Sequence, residues 1–530
     1  MLTVVGIAVF VTLMRSAAGI AGDFPPLPTI IPTIFDPGAP DPQKCPGYKA
    51  SNVVEFEHAL EADLTLAGPA CNAFETEIPD LVLKVAYQTK ERLNVRIQPK
   101  YIGSANSSWF VLDDQFLRQP EWDGRTTRYS SDLKFSWSNE PSFQFAITRQ
   151  HDGEEIFSTF GHVIVYEEQS HELMTNMVDD YNVYGLAENI HNFRLGTNYT
   201  QTLFNADTAD ALDENAYGTH PFYQETRYHD GQPSTAHGVY ARNAHAQEWL
   251  MRESTLTYRA IGGSFDFYFL SGQQSDLTGT STSSSSALDV FRQYQRGCVG
   301  LPAMQQFWTL GFHQSKWGWS SIDELREVVA NYSAADIPLE SIWNDIDVYD
   351  QHRIFTNGAM GYPSKGMHEF IDFLHERDQH YVAIQDSNVY FPDPSNATDV
   401  ASYPAFGRGA EVNAFIRDAT TGYFYIGENW PGYSVWADWL NPKAQAFWTE
   451  EVTRFHDLIP FDGVWVDLNE PQSFCSFSCG NIALDPSLLS SLAGGVSEAP
   501  AADPRNLIFP PYKINKYVKG VLGKLLEPPS

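Results

Sequence analysis

Downstream of residue 307 the apolar residues stop alternating and recur at helical spacing between short apolar runs. That change of period restricts the fold more than any other feature, because alternation marks strands and a 3.6-residue repeat marks helices. Ser321-Ile322-Asp323-Glu324 is a capping box, followed by Ile322, Leu325, Val329 and Tyr332 on one helix face. The apolar run Ile337–Trp343 ends in Asn344-Asp345. Met367, Phe370, Ile371 and Leu374 predict a second helix, and the strand Tyr381–Ile384 ends at Asp386. A third helix opens on Asn441-Pro442 and carries Phe447, Trp448, Val452 and Phe455, and the strand Gly463–Val466 ends at Asp467. With Phe307–Phe312 as the first strand, four strands alternate with helices, which means βαβ units and a parallel sheet. Strand C-termini of a parallel barrel open on one face, so Asp345, Asp386 and Asp467 would converge there. A single aspartate at a strand end is more commonly a helix N-cap; three in succession point to a site.

The upstream pattern is different. From Val53 to about Leu270, short alternating runs such as Leu81–Ala86, Leu93–Ile97, Phe143–Ile147 and Ser264–Leu270 predict an antiparallel β-sandwich over residues 45–274. Residues 275–300, rich in serine and threonine at their start, read as a flexible linker, and 301–480 as the first half of a (β/α)8 barrel. Residues 481–530 read as a loop and divergent tail. At the other end, the apolar run from Met1 closed by Ser16-Ala17-Ala18-Gly19 predicts a secretory signal over residues 1–21, with a Pro-rich leader over 22–44. The competing reading of that run is an apolar strand or short anchor.

A secreted, extracellular protein is the expectation, and the N-x-S/T triplets at Asn106, Asn198, Asn331 and Asn396 fit it as glycosylation sites. Cys45 with Cys71, and Cys475 with Cys479, are near enough in sequence to close local disulfide loops, leaving Cys298 free. The cysteines lack the paired CxxC spacing of a zinc site. A net charge of −32 disfavours nucleic acid and anionic membrane surfaces as partners. It is compatible with a small neutral oligosaccharide, for which the chain's many aromatics supply flat stacking faces.

One segment carries most of the chemistry: Trp465-Val466-Asp467-Leu468-Asn469-Glu470 resembles the W-x-D-[ML]-N-E motif of glycoside hydrolase family 31. Gly311-Phe312-His313-Gln314, Trp343-Asn344-Asp345-Ile346-Asp347, Trp430-Pro431-Gly432 and Asp438-Trp439 are similar to further segments of that family, in order. So are Tyr184-Gly185-Leu186-Ala187-Glu188 and Leu203-Phe204-Asn205-Ala206-Asp207 in the β domain, and the overall likeness is to fungal secreted α-glucosidases. The resemblance implies that Asp467 is the nucleophile and Glu470 a supporting carboxylate. It also implies that Asp207 and Asp345 bind sugar hydroxyls and that Trp430 and Trp465 shape the pocket walls. Ile346, Ile384, Asp386 and Leu468 would line the same pocket. Retaining cleavage of an acetal needs one ionised carboxyl to attack and one protonated carboxyl to donate, and no metal or organic cofactor.

Ala187, Phe204 and Ser387 stand where the resembled pattern has glycine, tryptophan and proline. A full barrel takes eight strands, and the segment carrying the family's acid/base residue finds no counterpart here. The sequence is therefore expected to be C-terminally incomplete and inactive alone. Two other readings stay open: a β-glucosidase, or dual α/β activity, using Glu470 as the essential carboxylate; and a secreted carbohydrate-binding remnant without turnover.

Overall fold

A computed structural model describes residues 40–101, 120, 122–205, 216–275, 281–418, 422–469 and 471–475. It also gives strand backbone at 33–35, 517–518, 521–522 and 525–527. The chain divides into two compact units, residues 1–302 with 501–530, and residues 303–500.

In the first unit, strict alternation builds the sheets. Along Asp80–Thr89, Leu81, Leu83, Val85 and Tyr87 are buried while their neighbours turn toward the opposite face. An eight-stranded sheet runs from Asn182–Gly185 at one edge to Tyr48–Glu55 at the other, and a five-stranded sheet runs from Tyr199–Leu203 to Val165–Tyr166. Their inner faces meet through aromatic pairs: Tyr223 on Trp249 at 5.7 Å and Tyr258 on Phe267 at 5.2 Å between ring centroids. The Cys45–Cys71 disulfide is formed and Cys298 is free.

The segment expected as a linker is structured over much of its described length. Ser286 caps a helix over Ala287–Tyr294 by accepting from the Asp289 amide. Val290 is fully buried, and Tyr294 stacks on Phe222 at 4.0 Å. Serine content predicted flexibility, but one of those serines is an N-cap and the residues after it bury an apolar face.

The second unit is built on a four-stranded parallel sheet: β1 (His313–Gln314), β2 (Ser341–Asn344), β3 (His380–Asp386) and β4 (Gly463–Asp467), hydrogen-bonded in that order. The first strand differs from expectation. Phe307–Leu310 forms a tight helical turn and only His313–Gln314 pairs with β2. The Trp308 indole stacks flat on His380 at 4.1 Å, below the strand that His380 begins. Short apolar runs do not by themselves separate strand from turn.

Helix α1 (Ile322–Ala334) is capped as the sequence required: the Glu324 amide donates to Ser321 Oγ, and the Ser320 amide to the Glu324 carboxylate. Helix α2 (Ser364–His375) buries Met367, Phe370, Ile371 and Leu374 at positions i, i+3, i+4 and i+7. Helix α3 (Pro442–Leu458) opens on Asn441, whose side chain accepts from the Lys443 amide, and buries Ala444, Phe447, Glu451 and Phe455. Between β3 and α3 an antiparallel insert of three strands, Asn388–Tyr390, Gly432–Trp436 and Gly427–Asn429, adds a small sheet beside the strand ends.

Candidate active site

Register alone decides which side chains share the inner face. Trp343 pairs with Val382, Ile384 with Trp465, and Asp386 with Asp467. Paired residues on parallel strands point the same way, and so do residues two apart on one strand. Asp345, two after Trp343, Asp386, two after Ile384, and Asp467, two after Trp465, therefore emerge on one face at one end of the sheet. The Trp343 and Trp465 rings lie 5.7 Å apart on that face, and the Trp343 indole N–H donates to His313 Nδ1 at 3.1 Å. An aromatic layer fills the inner face beneath the carboxylates.

The carboxylates sense one another. Asp386 is fully buried, with neither carboxylate oxygen hydrogen-bonded among the described residues, and is pushed up to about 8 by burial first and then by Asp467 and Asp345. Asp345 is also raised, by burial, then Asp347 and Asp467, against a lowering hydrogen bond from the Ile346 amide at 2.6 Å. At neutral pH Asp386 holds its proton, because burial disfavours the charged form and the neighbouring carboxylates add to that. Acetal chemistry needs one protonated and one ionised carboxyl, and which group would donate to a leaving oxygen is a separate question.

The other expected residues take their places as follows. Ile346 and Ile384 are buried, Trp465 half-buried. Leu468 follows the nucleophile candidate at φ +52°. Trp430 sits in the two-residue turn between paired Asn429 and Gly432, with its amide donating to Asn429 Oδ1 at 2.7 Å. Its ring is 40% exposed and meets Phe474 at 4.8 Å. Asp207, Glu470, Asn106 and Cys479 lie outside the described residues, so the Cys475–Cys479 pairing does too. Asn198, Asn331 and Asn396 are exposed, Asn331 within α1 and Asn396 as the cap of a short helix. Among the described residues no group of three or more His, Cys, Asp or Glu side chains could hold a metal ion, and no helix is long and apolar enough to cross a membrane.

Sequence reasoning missed two neighbours. Trp317, in the loop after β1, is 59% exposed with its ring 5.8 Å from Trp430. Its position was the available signal, since every loop following a barrel strand opens on the carboxylate end. Tyr349 is buried, its hydroxyl donates to the Ile384 carbonyl, and it faces Asp386 and Asp345. Nothing in its spacing announced it.

Residues 302–490 match the model of the Glycosyl hydrolases family 31 TIM-barrel domain. The barrel unit belongs to glycosyl hydrolase family 31. An Aspergillus niger α-glucosidase is 41% identical over 489 residues, 88% of this chain and 48% of the relative. A Schizosaccharomyces pombe α-glucosidase is 37% identical over 85% of this chain and 46% of its own length. The chain thus spans about half the length of the curated relatives it matches. Among solved structures, a glucosidase II alpha subunit superposes with a TM-score of 0.65 at 18% identity, covering 81% of this chain and 52% of the other. An α-1,4-glucan lyase from Gracilariopsis lemaneiformis superposes at 0.60 and 15% identity, covering 87% and 54%. Both share the fold of this chain. The family's TIM barrel accounts for the parallel order of β1 to β4, although the barrel is not closed among the described residues.

Proposed function

We propose that this chain carries the nucleophile side of a retaining, exo-acting α-glucosidase site, with terminal α-linked glucose of maltose-like oligosaccharides as substrate. The observation that carries the reading is the in-register pair Asp386–Asp467 at the open end of the parallel sheet, with Asp345 on the same face. In this reading Asp467 attacks the anomeric carbon, Asp345 holds sugar hydroxyls, Asp386 lines the pocket, and Trp430 and Trp465 wall it. The α-glucosidase names of the fungal relatives support the α linkage. A secreted location agrees with the Cys45–Cys71 disulfide, since such bonds persist in oxidising compartments.

The test uses a 5-fluoro-α-glucosyl fluoride, because fluoride departs without protonation and the reagent reads the nucleophile by itself. The chain is expected to gain one glycosyl unit by intact mass. Asp467→Asn should reduce labelling to background while Glu470→Gln still labels. Labelling that survives Asp467→Asn and disappears in Glu470→Gln would instead select the β-glycosidase reading.

A further inference from the structure

Past the last ladder pair, Asp386 with Asp467, a side chain joins the ends of β3 and β4. Ser387 is fully buried, and its hydroxyl donates to the Leu468 carbonyl oxygen at 2.8 Å. The same carbonyl accepts from the Gln472 amide at 3.2 Å. Leu468 lies in the left-handed region, at φ +52°, where a leucine backbone costs about 1 kcal/mol or more and persists only when its surroundings fix it. The two donors to its carbonyl are that fixing. The proline of the resembled pattern has no hydroxyl and could not form the side-chain link, so the bond belongs to this chain's own Asp386-Ser387 pair.

Asp467 is bracketed: its backbone is held by β3 on one side and by the fixed Leu468 carbonyl on the other. An attacking oxygen must sit about 3–3.5 Å from the anomeric carbon and in line, and misplacement by about 1 Å costs on the order of 10²-fold. We infer that Ser387 is a positioning residue, which acts through the Leu468 carbonyl to hold the Asp467 carboxylate on its line of attack. The inference rests on the proposed nucleophile. In the step it serves, an Asp467 oxygen bonds to C1, the C1–F bond of the reagent breaks, and that fluoride leaves with the electron pair while the C5 fluorine stays on the sugar.

The experiment compares wild type, Ser387→Ala and Ser387→Thr in the full chain, separating the rate of covalent labelling from the reagent's half-saturation. Ser387→Ala is expected to slow the labelling step roughly 10–100-fold with half-saturation unchanged, and Ser387→Thr, which keeps the hydroxyl, to recover most of the rate. A rate unchanged in Ser387→Ala, or lost equally in both variants, overturns the inference. Amide hydrogen exchange over residues 468–472 is measured in parallel and should quicken in Ser387→Ala only. If wild type does not label at all, the nucleophile assignment fails first. Exchange unchanged in Ser387→Ala then removes the clamp as well.

Discussion

Asparagine in place of Asp386 is expected to stabilise the barrel unit at pH 8 by about 2–5 kcal/mol while weakening sugar binding. Asp386 is buried among like charges and stays protonated up to about 8, whereas in the unfolded chain it ionises near 4. A group raised on folding contributes stability that is fully present below its unfolded value and lost as pH climbs through its folded one. Here the window runs from about 4 to about 8, at about 1.4 kcal/mol for each pH unit. Asparagine has the shape of the neutral acid and cannot ionise, so that slope should flatten. Urea unfolding followed by tryptophan fluorescence at pH 5 and pH 8 measures both effects. Equal pH slopes for Asp386→Asn and wild type would contradict the burial and charge arrangement described. The trade of affinity for stability is the usual one at sites where like charges are held together for function.

The other large effect falls in the β unit. Arg149 is buried, with Nε on Glu154 at 2.6 Å, one terminal nitrogen on the Ser271 carbonyl at 2.6 Å and the other on the Ala236 carbonyl at 2.8 Å. Removing it takes a donor from two carbonyls and leaves Glu154 with longer contacts, to the Thr235 hydroxyl at 3.3 Å, Arg227 at 3.4 Å and His229 at 3.8 Å. Arg149→Ala should cost about 3–5 kcal/mol, the range for breaking one side of a buried ion pair. Lysine should rescue little, because a single ammonium cannot serve three acceptors arranged around a planar fork. A loss below about 1 kcal/mol in thermal or urea unfolding would show that the network relaxes or admits water.

The parallel sheet and its three aspartates were legible because each helix segment is long, amphipathic and capped. The last two strands also end in a carboxylate, and one directly follows β2. Period two then places those carboxylates on one face without further information. Phe307–Leu310 was misread because an apolar run of strand length can also wind into a turn whose tryptophan packs beneath the sheet. Trp317 meeting Trp430, Tyr349 holding the Ile384 carbonyl, and Ser387 reaching Leu468 are contacts between segments distant in sequence. They depend on how strand ends are brought together, which no local pattern encodes.

What remains to be located is the atom that bonds to the sugar. After labelling with the 5-fluoro-α-glucosyl fluoride and proteolysis, tandem mass spectrometry of the peptide spanning residues 463–472 reads the modified side chain. The added sugar is expected on Asp467. Its appearance on Glu470, or on a peptide from elsewhere in the chain, would contradict the assignment.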